Sequence, residues 1–214
     1  MSSLRLLVLA AFVFAGGPFA APARANDLNA QVASGTLEIK GDNDGNILTI
    51  DDATLAAGEL RITPGGATTI NGASGAQVFA GVTGDVDMSL GAGDNGVTVF
   101  AISVAGGLRI KTGSGDDDVQ ITESSVQDDV QLFLGAGANV LIMDLVSTIG
   151  GDLSIKAGKG NDPVHLTRTS VGGSVKIDLG AGANALTMDL VSTIGDNLSI
   201  KAGKGNDPVH LTRT

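Results

Sequence analysis

Apolar and polar residues alternate along most of this chain with a period of two, and the alternation restarts every 22 or 23 residues. Six segments carry it: residues 85–90 (DVDMSL), 107–112 (GLRIKT), 129–134 (DVQLFL), 152–157 (DLSIKA), 174–179 (SVKIDL) and 197–202 (NLSIKA). A period of two marks a strand with one buried face. Val86, Leu108, Val130, Leu153, Val175 and Leu198 form one inward column, and Met88, Ile110, Leu132, Ile155, Ile177 and Ile200 form the next. A second short strand in each unit brings Val97, Val119, Leu141, Val164, Leu186 and Val209 inward. One more apolar residue (Val104, Val126, Ile149, Val171, Ile194) precedes the return to the first strand.

A G-x-G turn separates the two strands of each unit, as in Gly113-Ser-Gly115 and Gly158-Lys-Gly160. Two residues beyond the second glycine stands an Asn or Asp: Asn95, Asp117, Asn139, Asp162, Asn184 and Asp207. A fixed period of this length is the signature of stacked repeats, in which one unit cannot bury its own inner face but a stack can. With strands and tight turns and no 3.6-residue periodicity after the first 25 residues, the pattern predicts an all-β chain folded as a single parallel β-helix, three-sided and right-handed. Leu37-Glu-Ile-Lys and Leu60-Arg-Ile-Thr read as two further first strands, with Ile47, Ile50, Ile70 and Val78 as buried partners, which gives about eight coils. Residues 26–34 read as a short N-terminal cover, and residues 35–214 as the repeat domain. Residues 135–169 and 180–214 differ only at Val140/Ala185, Ile142/Thr187, Gly151/Asp196 and Asp152/Asn197, the mark of a duplicated two-coil unit. The last coil has no polar capping element, so the expectation is either that the natural chain continues past it or that another chain covers it, and the second predicts self-association through an open end.

Residues 1–25 have the form of a signal peptide: Arg5, an apolar run over residues 6–15, and Ala23-Arg24-Ala25 as a small-x-small cleavage site. The run is too short to span a bilayer, and the expectation is a secreted, cell-surface or periplasmic protein without a transmembrane segment. Of the 13 Lys and Arg, Arg5 and Arg24 lie in this leader, leaving 11 against 23 Asp and Glu. That balance argues against nucleic acid as a partner. The chain has no Cys, Trp or Tyr, so neither disulfides nor Trp/Tyr sugar platforms contribute.

The turns over residues 112–119 (TGSGDDDV) and 157–164 (AGKGNDPV) resemble single units of the glycine-aspartate repeats of RTX proteins. That resemblance implies calcium held between stacked turns, with Asp116, Asp117, Asp118, Asp162 and Asp207 as ligands. The residues themselves also allow an Asn/Asp ladder hydrogen-bonded to neighbouring backbone. Asn replaces the acid in alternate copies, and Lys159 and Lys204 would oppose a cation. The loop Asp42-Asn-Asp44-Gly-Asn46 reads as an ordinary turn. His165 and His210 fall two coils apart, about 10 Å, too far to share one metal.

Polysaccharide lyases and hydrolases also use parallel β-helices, and in that reading Lys176 and Asp178 lie on the basic stripe formed by Arg109, Lys111, Lys156, Lys176 and Lys201. The turns are all short, whereas such enzymes build clefts from long loops. The expected function is therefore a non-catalytic exported repeat protein with a structural, adhesive or surface-binding role, toward surface polysaccharide or another extracellular protein. A calcium module and a polysaccharide-cleaving enzyme are the alternatives.

Overall fold

The computed structural model describes residues 26–144, 148–189 and 193–212, so the signal peptide expected over residues 1–25 lies outside the described residues. Among these, every regular element is a β-strand, and no helix is long and apolar enough to cross a membrane. The strands form a parallel β-solenoid with three faces: two nine-stranded sheets and one of five strands.

The first sheet stacks Val86–Ser89, Leu108–Lys111, Val130–Phe133, Leu153–Lys156, Val175–Asp178 and Leu198–Lys201, all parallel and in register. The second sheet stacks Gly96–Phe100, Asp118–Thr122, Val140–Asp144, Pro163–Thr167, Ala185–Asp189 and Val209–Thr212 in the same way. Two-residue strands ending in Val104, Val126, Ile149, Val171 and Ile194 make the third. The alternating residues of the repeat thus become continuous inward rows. Met88, Ile110, Leu132, Ile155 and Ile177 lie at most 1% exposed. Burial of each such side chain is worth about 1.5–3 kcal/mol. At the last described coil these rows emerge: Leu198, Val209 and Leu211 are 40%, 41% and 53% exposed.

Five windings carry all three strands, with an incomplete one at each end, so the stack has about five turns rather than eight. The difference arises in residues 52–84. Thr36–Lys40 does belong to the first sheet, lying parallel to Val86–Ser89, and Ile47–Asp51 lies parallel to Gly96–Phe100. Leu60-Arg-Ile-Thr does not begin a coil. It lies in Glu59–Pro64, antiparallel to Ile47–Asp51 in the second sheet, and Gln77–Ala80 pairs antiparallel with it in turn. Asp27–Ala33 runs antiparallel to Thr36–Lys40 and parallel to Thr69–Ile70. Reversed strands therefore cover the N-terminal end of the stack, and Arg61 pairs with Asp51 across them. Ile50 and Ile70 are fully buried as the alternation predicts, but Ile47 and Val78 are 48% and 51% exposed, and Leu48 takes the inward place beside Ile50.

The corners explain the glycines. In each G-x-G turn the coils approach so closely that a Cβ on Gly158 would collide with the Gly135 carbonyl oxygen, and one on Gly135 with that of Gly113. Gly135 also sits at φ +79°, where a side chain is strained. The middle residues Ser114, Ala136, Lys159, Ala181 and Lys204 bridge coil to coil as a one-residue parallel ladder.

Candidate functional site

One column of side chains runs inside the corner after the first sheet. Asn46, Asn95, Asp117, Asn139, Asp162 and Asn184 are all buried, and Asp207 continues the series. The main-chain N–H of each donates to the Oδ1 of the next: Asn46 to Asn95 at 3.0 Å, Asn95 to Asp117 at 2.9 Å, and Asp117 to Asn139 at 3.1 Å. The series goes on from Asn139 to Asp162, Asp162 to Asn184 and Asn184 to Asp207, each at 2.9 Å. Each repeat Asn adds a second bond, its Nδ2–H donating to the Asp Oδ1 of the following coil at 2.8, 2.9 and 3.1 Å. Asn95 and Asn139 also donate Nδ2–H to Gly93 O and Gly137 O in their own turns.

The aspartates of the column cannot reciprocate. Among the described residues, Asp117 Oδ2 and Asp162 Oδ2 are buried with no hydrogen-bond partner. Burial pushes both carboxyls above the usual range, against the pull of the N–H groups of Asn95 and Asn139. At Asp117 the Thr112 hydroxyl also lowers the value, although that hydroxyl donates to Leu134 O at 2.7 Å. At Asp162 the corresponding residue is Ala157, which offers no hydroxyl.

The five aspartates singled out for calcium are not brought to one point. Asp117 faces inward, while Asp116 and Asp118 on either side are exposed. Asp116 Oδ1 accepts the Ala138 N–H at 2.7 Å, its own N–H donates to Asp94 Oδ1 at 2.8 Å, and Asp118 opens the strand of the second sheet. Asp162 and Asp207 continue the buried column above Asp117 and are separated from it by Asn139 and Asn184. No group of three or more His, Asp or Glu gathers as for a metal among the described residues. Asn46 is the ladder member that sequence reasoning missed. Asn46 stands five positions after Gly41, whereas in later turns the offset is four, as from Gly91 to Asn95, and this hides the equivalence.

A second ladder edges the corner before the first sheet. Asp85 Oδ1 accepts the Gly107 N–H at 2.7 Å, Asp129 Oδ1 the Asp152 N–H at 2.8 Å, and Asp152 Oδ1 the Ser174 N–H at 2.7 Å.

The outer face of the first sheet holds the basic stripe. Arg109 lies 3.6 Å from Asp87 and 5.6 Å from the centroid of the Phe133 ring. Lys201 donates to Asp178 at 3.0 Å, and this bond holds the Asp178 carboxyl below its usual range. Lys176 is exposed beside Ser154 and Ser199. His165 and His210 take outward places on the second sheet with Thr187 between them.

Comparison with family models, with curated proteins and with solved structures yields no match to this chain. The class to which it belongs, the parallel β-solenoids, is defined by its stacked strands alone.

Proposed function

We propose that this protein is an exported, non-catalytic repeat scaffold with an adhesive role at the cell surface. The observation that supports this best is the use made of the corner residues. The polar side chains of the repeat that could have gathered into a reactive cluster are spent between coils, as Asn95, Asp117, Asn139 and Asp162 are. From Val86 onward the described residues present to solvent the outer faces of strands stacked in register, a surface suited to lateral contact with an extended partner. The leader over residues 1–25 supports export, and the excess of 23 Asp and Glu over 13 Lys and Arg keeps such a rod soluble.

The test is fractionation of cells producing the full chain, with mass spectrometry of its N-terminus. Export predicts a surface or secreted species beginning at Asn26. A cytoplasmic species still carrying residues 1–25 contradicts the reading.

A further inference from the structure

The outward positions of five successive strands of the first sheet, Leu108–Lys111 to Leu198–Lys201, carry five cations and one acid, although the chain as a whole has a formal charge of -10. The register sets these residues in rows. Lys111 stacks on Phe133, Phe133 on Lys156, Lys156 on Asp178, and Asp178 on Lys201. Parallel strands lie about 4.8 Å apart, so Lys111, Lys156 and Lys201 recur about every 10 Å along the rod. In the neighbouring row Gln131 and Ser154 lie between Arg109 and Lys176.

Two of these cations are engaged, Arg109 with Asp87 and Lys201 with Asp178. Lys111, Lys156 and Lys176 have no ion pair within 4 Å among the described residues and are exposed. Phe133 is half-buried between Lys111 and Lys156, with the Arg109 guanidinium over its ring. The exposed part of Phe133, flanked by Lys111 and by Lys156 (itself next to Asp178 in the row), with an amide and a hydroxyl beside it, offers the contacts that a carboxylated sugar needs. Its ring packs on the apolar surface, its hydroxyls meet Gln131 and Ser154, and its carboxylates meet the lysines.

We propose that this face, centred on Lys111, Phe133 and Lys156, binds a linear acidic polysaccharide of the uronic-acid class laid along the solenoid axis. The proposal rests on the scaffold reading and gives it a ligand. The long-range field of an acidic protein opposes the encounter, but at physiological salt that field is screened beyond about 8 Å, and the local cations decide. Binding is accordingly salt-sensitive, with the strongest attachment at low ionic strength.

The experiment is titration of the mature chain with polygalacturonate, with dextran, polyglutamate and anionic phospholipid vesicles as the other arms. Polygalacturonate is expected to bind, weakening with added salt, while dextran does not. Lys111→Glu with Lys156→Glu should weaken binding at least about tenfold. Phe133→Ala should weaken polygalacturonate several-fold and leave polyglutamate unaffected, with circular dichroism confirming that each variant is folded. Absence of polygalacturonate binding overturns the proposal. So does equal binding of polyglutamate or vesicles, which would reduce the face to non-specific charge, and so does an unchanged affinity in the double lysine variant. None of these outcomes bears on the cellular fractionation that tests export.

Discussion

Asn139 Nδ2 donates to Asp162 Oδ1 at 2.9 Å, and the ionised Asp162 side chain has no hydrogen with which to do the same for Asn184. The ladder is therefore unequal: Asp117 and Asp162 are each short of a donor hydrogen and keep one buried oxygen, Oδ2, without a partner. Protonation supplies the missing hydrogen, as would an amide in place of the acid.

This gives a pH dependence of definite sign. Asp117 and Asp162 are raised by burial, so the folded chain holds their protons more tightly than the unfolded one. Their stabilising contribution is full below the unfolded value of about 3.9 and is lost as pH rises through the raised folded values. Asp117→Asn and Asp162→Asn should each raise the stability at pH 8 by about 1–3 kcal/mol and flatten the dependence of Tm on pH above 4. Thermal melts of wild type and variants between pH 4 and 8 measure both effects.

Asn139 occupies the opposite role. It accepts from Asp117 and donates to Asp162 and Gly137. Asn139→Ala removes all of these: the buried Asp117 N–H loses its acceptor, and Asp162 Oδ1 keeps only the main-chain N–H of residue 139, a loss of about 1–3 kcal/mol in urea unfolding.

Among the described residues the aspartates named for calcium do not converge, because Asp116 and Asp118 turn outward and Asp117 inward. The melting temperature should be the same in millimolar calcium and in chelator. A calcium-dependent rise would show that the orphan oxygens of Asp117 and Asp162 serve a cation.

Leu166 and Leu211 are equivalent positions of the duplicated unit, yet one is 1% and the other 53% exposed. Leu166→Ala should cost about 2–5 kcal/mol, as for a core truncation, and Leu211→Ala less than about 1 kcal/mol. Denaturant unfolding of the two variants tests that contrast between identical sequences.

Much of this fold was legible because each repeat states its own pattern. Val86 to Leu198 and Met88 to Ile200 alternate visibly, and the glycines mark the corners. The N-terminal third was legible only in part: Leu37-Glu-Ile-Lys and the buried Ile50 and Ile70 were, the reversed strands were not, for a physical reason. Leu60-Arg-Ile-Thr alternates like any half-buried strand, and alternation does not reveal whether the neighbour runs parallel or antiparallel. One extra residue between Gly41 and Asn46 concealed the first rung of the ladder. The corner between the second and third sheets was also hidden. It turns through Ala101, Glu123 and Arg168 at φ of 50°, 53° and 51°, residue types that give no sign of left-handed backbone. The raised carboxyls follow from burial beside an Asn neighbour, which only the stacked register reveals.

The register of that stack can be measured directly, because the chain contains no cysteine. Gln131 is paired with Ser154 on adjacent parallel strands, and Ser154 with Lys176 on the next. Cysteines at Gln131 and Ser154 therefore stand within disulfide reach, about 5 Å between Cα atoms, whereas Gln131 and Lys176 stand about 10 Å apart. Under mild oxidation the Gln131→Cys/Ser154→Cys variant should form an intramolecular disulfide rapidly, and the Gln131→Cys/Lys176→Cys variant should not. Failure of the first pair to close, or closure of the second in its place, would contradict the parallel, in-register solenoid from which the ladder and the outer face both derive.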